Sequence, residues 1–115
     1  MVKFSVVVPT YNEEKYIRKT LQALKKQTFT DFEVIVKDGG SKDQTVKIAK
    51  RFAHKIVSLP DTSAADARNQ GARYAEGEIL VFMDADTFLL PQTLKRFNRL
   101  MENKRVVGVS CRKIP

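Results

Sequence analysis

The chain has 115 residues, 43% of them apolar and 30% charged, with a formal net charge of +8. That length and apolar share suit one domain with a real core and exclude a disordered tail. No apolar run nears the roughly 20 residues that span a bilayer, and a lone cysteine, Cys111, excludes an internal disulfide or a cysteine-built metal cluster.

The chain enters a strand-like run directly after Met1-Val2-Lys3, so no signal peptide is expected, and the single thiol fits a reducing compartment. The only histidine, His54, reads as a surface or helix-end residue rather than a catalytic base. Basic residues are scattered over Lys25-Lys26, Lys47 with Lys50-Arg51, Lys95-Arg96 and Lys104-Arg105. No run interleaves them with aromatics, so no dedicated nucleic-acid surface is expected. The charge leaves phosphorylated substrates, an anionic membrane face, or a plain lysine-rich solvated surface.

Phe4 to Val8 is apolar apart from Ser5, which predicts a first buried strand, and Pro9 is expected to stop its hydrogen bonding. Thr10, Tyr11 and Asn12 form a turn, and Glu13-Glu14 open a helix where negative charge suits the positive dipole end. Ile17, Leu21 and Leu24 give that helix its apolar stripe. A second strand runs from Phe32 to Val36, and Gly39 and Gly40 in the loop after it let the backbone approach a ligand. Ser41 and Gln44 have capping-box spacing, which predicts a helix from Lys42. Ile56 to Leu59 is a short third strand ended by Pro60.

Ser63 and Asp66 repeat the capping-box spacing, predicting a helix from Ala64 to about Ala75. Gly71 inside it costs about 1 kcal/mol of helix propensity, which predicts a tight contact there. Gly77 is read as a left-handed helix stop. The run Ile79 to Met83 is expected to be a strand buried on both faces. Pro91 suits the first turn of another helix, with Leu94, Phe97, Leu100 and Met101 on its buried face, and Val106 to Val109 begins a fifth strand.

Strands alternating with helices across short connections predict an α/β fold with a parallel sheet and right-handed crossovers. All strand-to-helix loops of such a sheet emerge at one edge, where open α/β sheets bind ligands. Asp84 and Asp86 stand at the end of the Ile79–Met83 strand with no base beside them in sequence. They would repel each other unless a cation or a donor-rich ligand lay between them. A divalent metal carrying a diphosphate satisfies both, because hard cations take carboxylate and phosphate oxygens. The same edge receives Pro9, Thr10, Tyr11 and Glu13 from the first loop and Asp38 from the second, while Arg68 could reach it from its helix and grip phosphate. Plainer roles stay open: turn capping for Asp84 and Asp86, helix packing for Tyr11, a turn role for Asp38, and solvation for Arg68. Neither Gly-x-Gly-x-x-Gly nor a P-loop occurs, so a metal rather than a helix end would hold the phosphates.

Four stretches carry a resemblance: Ser5-Val6-Val7-Val8-Pro9-Thr10-Tyr11-Asn12-Glu13, Val36-Lys37-Asp38-Gly39-Gly40-Ser41-Lys42-Asp43, Ala67-Arg68-Asn69-Gln70-Gly71, and Gly77 through Asp86. In this order and spacing the chain resembles the nucleotide-sugar-binding part of family 2 glycosyltransferases. The resemblance implies the A-type glycosyltransferase fold: a three-layer, Rossmann-like, mostly parallel sheet with helices on both faces, here in truncated form. It implies a single donor-binding domain over 1–115, the N-terminal part of a longer transferase. The donor would be a uridine or guanosine diphosphate sugar, transferred with inversion and with Mg²⁺ or Mn²⁺ as cofactor. Pro9, Thr10, Tyr11 and Glu13 would cradle the nucleoside, Asp38 would read the base, and Arg68 would face the base or diphosphate. Asp84, Ala85 and Asp86 would complete the donor site, Asp84 holding the ribose or supporting the metal and Asp86 ligating it. Gly39 departs from the two adjacent acids of many members, which bears on base preference.

No catalytic base is named, since the resemblance puts it further along the chain. The acceptor is open among a polysaccharide, a lipid-linked sugar and a polyprenyl phosphate. The expected setting is cytoplasmic, at or near the inner membrane face, with self-association through an exposed sheet edge as a further expectation. A non-catalytic, regulatory nucleotide-binding α/β module is the rival reading.

Overall fold

The computed structural model describes residues 2–103. Within them the chain runs β1 (Phe4–Thr10), α1 (Ile17–Lys25), β2 (Phe32–Asp38), α2 (Thr45–Ala49), β3 (Lys55–Ser58), α3 (Ala64–Ala72), β4 (Ile79–Phe82) and α4 (Thr93–Met101). The strands form one sheet in the order β3-β2-β1-β4, and every pair is parallel. The fifth strand expected at Val106–Val109 lies outside the described residues.

Side-chain alternation sorts the core into two layers. Phe4, Val6 and Val8 of β1 and Val34 and Val36 of β2 face Ile17, Leu21 and Leu24 of α1, Ala49 of α2 and Leu94 of α4. Burial of one such side chain contributes about 1.5–3 kcal/mol. On the other face Val7, Ile35 and Val57 pack with Ala75, under α3. There Gly71 makes the tight contact its cost predicted: a Cβ on it would lie 2.5 Å from Val7 Cγ1. Ser63 caps α3 as expected, its hydroxyl accepting from Asp66 N at 3.0 Å.

Several local expectations are corrected. Pro9 lies inside β1, opposite Lys37. Met83 N donates to Val7 O while Gly39 N donates to Thr10 O. Odd residues of β1 therefore address β4, and β4 has ended at Phe82 before it reaches Pro9. The missing N–H thus breaks no ladder bond. The stretch from Glu13 makes a turn, with Tyr16 N and Ile17 N donating to Glu13 O, before α1 proper begins at Ile17. Gly77 is not a left-handed stop, since among the described residues the positive-φ positions are Gly40 and Asn12. Gly77 is needed for close approach: a Cβ on it would lie 2.7 Å from Phe4 C and Ser5 N. Helix α3 has already ended at Ala72.

Strand β4 is not buried on both faces. Leu80 and Phe82 are each 43% exposed, because α3 packs over β1 and β2 and leaves that side of β4 uncovered. Leu100 of α4 is likewise exposed, although Leu94 is fully buried.

A polar network on the α3 face fixes the chain's approach to β4. Ser5 Oγ donates to Glu33 Oε2 at 2.6 Å, Glu76 N donates to the same oxygen, and Gly77 N donates to Ser5 Oγ. Lys55 Nζ lies 2.9 Å from Glu33 Oε1. Burial works against the Glu33 charge, but these donors outweigh it and hold its carboxyl below the usual range.

Candidate functional site

The chain builds outward from β1 to β2 to β3 and then returns across the sheet to place β4 on the other side of β1. Strand order therefore reverses between β1 and β4. Loops leaving the C-terminal ends of two such strands diverge and open a crevice, the usual ligand position in this architecture. Thr10 to Glu13 leave β1 there, and Asp84 to Asp86 leave β4 there.

The β1 and β2 loops are tied to each other. Asn12, in the left-handed region at φ 52°, donates from its N to Ser41 Oγ at 2.8 Å and accepts from Lys42 N on its Oδ1 at 2.9 Å. Glu13 N donates to Thr45 Oγ1, Glu14 N to Asp43 Oδ2, and Gln44 N to Glu14 Oε2. This explains why the predicted Ser41–Gln44 capping box does not form: Ser41 is engaged elsewhere, and α2 starts later, at Thr45. Asp43 holds that start, its Oδ1 accepting from Thr45 N at 2.9 Å. Desolvation works against the Asp43 charge, yet the Thr45 and Glu14 donors hold its carboxyl below the usual range.

Asp38 sits under this pair of loops, buried and saturated. Its Oδ1 accepts from Thr10 Oγ1 at 2.8 Å and Ser41 Oγ at 2.5 Å, and its Oδ2 accepts from Gly40 N at 3.0 Å and Ser41 N at 2.7 Å. Burial alone would raise its pKa; the Ser41, Thr10 and Gly40 donors bring the carboxyl below the ordinary range instead. In this arrangement its oxygens hold the loop itself.

The β4 tip is built differently. Thr87 N donates to Asp84 O, closing a turn over 84–87, and the Thr20 hydroxyl of α1 donates to Ala85 O. Ala85 is buried, which anchors the turn and leaves Asp84 and Asp86 exposed on either side of it. Their charge reaches across the crevice. Glu13 has its pKa raised, first by burial and then by repulsion from Asp86, Asp43 and Asp84. Acids from three loops therefore converge on one space.

A divalent cation fits this donor chemistry in a specific way. Among the described residues no group of three or more His, Cys, Asp or Glu side chains is close enough to cage a metal. Mg²⁺ in phosphate sites needs no such cage; it takes one or two carboxylates and completes its shell with phosphate oxygens and water. Asp84 and Asp86 supply that number, and Glu13, its pKa raised by burial first, also feels repulsion from both of them.

Two further residues at this edge were missed from sequence. Lys37 is fully buried, its Nζ donating to Leu59 O at 2.5 Å, Asp38 O at 3.2 Å and Asp61 Oδ2 at 2.9 Å. It binds the β3–α3 loop to the end of β2. Asp61 occupies the space beside Gly39, where a Cβ would lie 2.6 Å from Asp61 Oδ2. A lysine directly after the apolar run Val34–Val36 was the available signal, since a buried charge requires a partner. Tyr11 is exposed at the crevice rim rather than packed on α1, and Arg68 is exposed on α3, one turn before Gly71, in no salt bridge with the described residues. His54 is at the surface, its Nδ1 accepting from Val34 N at 2.9 Å. A recess of about 280 Å³ lined by Leu24, Phe32, Arg51 and His54 lies at the opposite, N-terminal end of the strands and contains none of these acids.

Comparison with known proteins agrees with this geometry. The family described as Glycosyl transferase family 2 matches residues 5–115. The chain is 45% identical over 103 residues to poly(ribitol-phosphate) β-N-acetylglucosaminyltransferase TarS of Staphylococcus aureus (strain Mu50), covering 83% of this chain and 18% of TarS. It is 35% identical over 92 residues to glycosyltransferase GlyA of Streptococcus pneumoniae, covering 76% of this chain and 13% of GlyA. The chain thus spans less than a fifth of the length of these relatives. The crystal structure of S. aureus TarS 1–349 in complex with UDP-GlcNAc superimposes with a TM-score of 0.80 at 34% identity, over 99% of this chain and 37% of that one. Mannosyltransferase PcManGT from Pyrobaculum calidifontis, in complex with GDP-Man and Mn²⁺, gives a TM-score of 0.69 at 34% identity, over 73% of this chain and 27% of its own. With the family matched over nearly the whole chain, the sheet of parallel strands and its acidic crevice belong to a member of glycosyltransferase family 2.

Proposed function

We propose that residues 1–115 form the donor-binding domain of a transferase that moves a sugar from a nucleoside diphosphate sugar to an acceptor with inversion. The likeness to TarS, solved with UDP-GlcNAc, favours a uridine-linked donor over a guanosine-linked one. The observation that carries the reading is the convergence of Asp84 and Asp86 on Glu13, with its raised pKa, at the point where strand order reverses. Acids so placed cost stability by themselves and become favourable around a cation-bound diphosphate.

In this reading Asp84 and Asp86 hold Mg²⁺ or Mn²⁺, and the PcManGT complex with Mn²⁺ supports the choice of metal class. When bound, the cation supplies Lewis-acid stabilisation of the leaving diphosphate. Pro9, Thr10 and Tyr11 line the nucleoside, with the exposed Tyr11 ring as its apolar wall. Asp38 fixes the base-facing loop, and Asp61, clamped by Lys37, borders it. Arg68 approaches the diphosphate from α3, where its planar fork suits two phosphate oxygens. An acceptor oxygen bonds to the anomeric carbon as the bond from that carbon to the diphosphate oxygen breaks, which inverts the centre. No described residue is assigned as the base for the acceptor proton. The acceptor groups lie outside these residues, in keeping with the small share of each relative that the chain spans.

Calorimetric titration with UDP, UDP-GlcNAc and GDP, each with and without Mn²⁺, tests the reading. Binding that requires Mn²⁺ and ranks the uridine compounds first is expected. Equal binding without metal contradicts it and favours a non-catalytic nucleotide-binding module.

A further inference from the structure

The two helical layers differ in charge. Helices α1 and α4 carry Arg18, Lys19 and Lys25, and Lys95, Arg96 and Arg99, with no acidic residue in either helix, and all six are exposed. Helix α2, in the same layer, adds Lys47 and again no acid. On the α3 side Asp66 accompanies Arg68 within the helix. That side also holds the salt bridges of the described residues: Lys3 with Glu78, Lys37 with Asp61, and Lys55 with Glu33 and Glu76. A uniformly solvated lysine surface would not divide the molecule this way.

The basic layer also holds the most exposed large apolar side chain among the described residues, Leu90. The segment after the β4 tip runs as a strap along α1. Thr20 Oγ1 bonds Ala85 O near its start, Lys19 Nζ lies 5.9 Å from the Phe88 ring centre, and Gln27 Nε2 donates to Leu90 O at 2.8 Å at its end. Thr28 N donates to Pro91 O, and Leu94 N donates to Gln27 Oε1, so the strap hands over to α4 beside the end of α1. Its backbone is pinned, yet Phe88 is 48% and Leu90 74% exposed. No helix of the described residues is long and apolar enough to cross a membrane.

We infer that the α1–strap–α4 face docks on an anionic lipid surface, with Arg18, Lys19, Lys25, Lys95, Arg96 and Arg99 on the headgroups and Phe88 and Leu90 entering the interface. Charge complementarity selects the partner: an anionic leaflet attracts clustered basic residues, and apolar tips set among them add interfacial insertion. Leu90, the most exposed large apolar residue described, decides against nucleic acid, since an aliphatic side chain offers no stacking platform. Asp86 stands two residues before Phe88, so a bilayer against the strap borders the donor crevice and brings a membrane-held acceptor near it.

The chain contains no tryptophan, so Leu90→Trp gives a single fluorescent reporter. Vesicles of pure phosphatidylcholine and of equimolar phosphatidylcholine and phosphatidylglycerol are the probes. The expected result is a blue shift of Trp emission with the anionic vesicles only, reversed by high salt. In flotation with the otherwise unaltered chain, Lys19→Glu and Arg96→Glu each weaken binding by at least about 5-fold, the scale of one basic residue at an anionic surface. Arg73→Glu, on the α3 side, leaves binding nearly unchanged. No emission shift, an equal shift with neutral vesicles, or displacement of the chain from anionic vesicles by a single-stranded oligonucleotide at equal phosphate concentration would overturn the inference.

Discussion

The paired β1–β2 loops and the β4 tip treat their aspartates differently. In the first, Asp38 and Asp43 are each met by hydroxyl and backbone donors from the chain, and both have pKa values below the ordinary range. At the second, Asp84 and Asp86 face Glu13, whose pKa is raised first by burial and then by repulsion from Asp86, Asp43 and Asp84. One half of the crevice is thus complete as folded, its negative charge answered from within. The other half sets the exposed Asp84 and Asp86 opposite Glu13. Under the proposed function, the difference separates residues that shape the donor site from residues that meet the cation the donor brings.

Breaking the completed half has the largest expected effect. Asp38→Ala strands the Thr10 hydroxyl and the Gly40 and Ser41 N–H groups, and should lower unfolding stability by about 3 kcal/mol, since hydrogen bonds to a buried charge are each worth about 1.5–3 kcal/mol. Urea denaturation measures it, and a loss below the scale of a single neutral hydrogen bond would mean the loops do not depend on Asp38. Thr45→Val is the milder version. It removes the acceptor for Glu13 N and one donor to Asp43, and should cost about 1–2 kcal/mol while loosening both loops in hydrogen exchange.

Acidification separates the halves without mutation. The lowered pKa values of Asp38 and Asp43 mean that their stabilisation is fully present above the unfolded carboxylate range and is lost only as pH falls through their lower folded values. The raised value of Glu13 has the opposite sign: it opposes folding increasingly as pH rises from the unfolded value through the folded one. Stabilisation by Mn²⁺ should therefore disappear first on acidification, as Glu13 takes up a proton, while the fold survives to lower pH. Melting curves over a pH series would show two separated losses; a single coincident loss would erase the distinction. The smallest effect belongs to Glu13→Gln, which relieves repulsion and should raise metal-free stability by about 0.5 kcal/mol, the scale of exposed charge interactions. A decrease would mean that Glu13 is not under strain from the acids opposite.

How far the sequence disclosed these halves follows from what each depends on. The parallel sheet was legible because Phe4–Val8 and Phe32–Val36, each broken by one polar residue, and the unbroken Ile79–Met83 are apolar runs spaced by helical segments. Gly71 announced its contact through a cost that a helix interior does not bear without cause. Other features were illegible because they depend on partners far away in the chain. Ser41 and Gln44 match a capping box, but Asn12, 29 positions from Ser41, claims the hydroxyl. Gly77 matches a helix stop, but its position is set by the backbone of Phe4 and Ser5. The exposure of Leu80 and Phe82 depends on how far α3 reaches across the sheet. Within the crevice the identities of Thr10, Asp38, Asp84 and Asp86 could be read from the chain. That Asp38 is saturated by its own loop, and that Asp61 fills the space beside Gly39, needed the third dimension.

The central claim is that a cation sits between the β4 tip and Glu13, brought with the donor diphosphate. Paramagnetic broadening of amide signals by Mn²⁺ in the presence of UDP measures this directly. The account predicts that the amides of Glu13 and of residues 84–87 broaden first, and that Asp86→Ala abolishes the effect. Broadening that leaves those amides sharp, or that persists undiminished in Asp86→Ala, would contradict it.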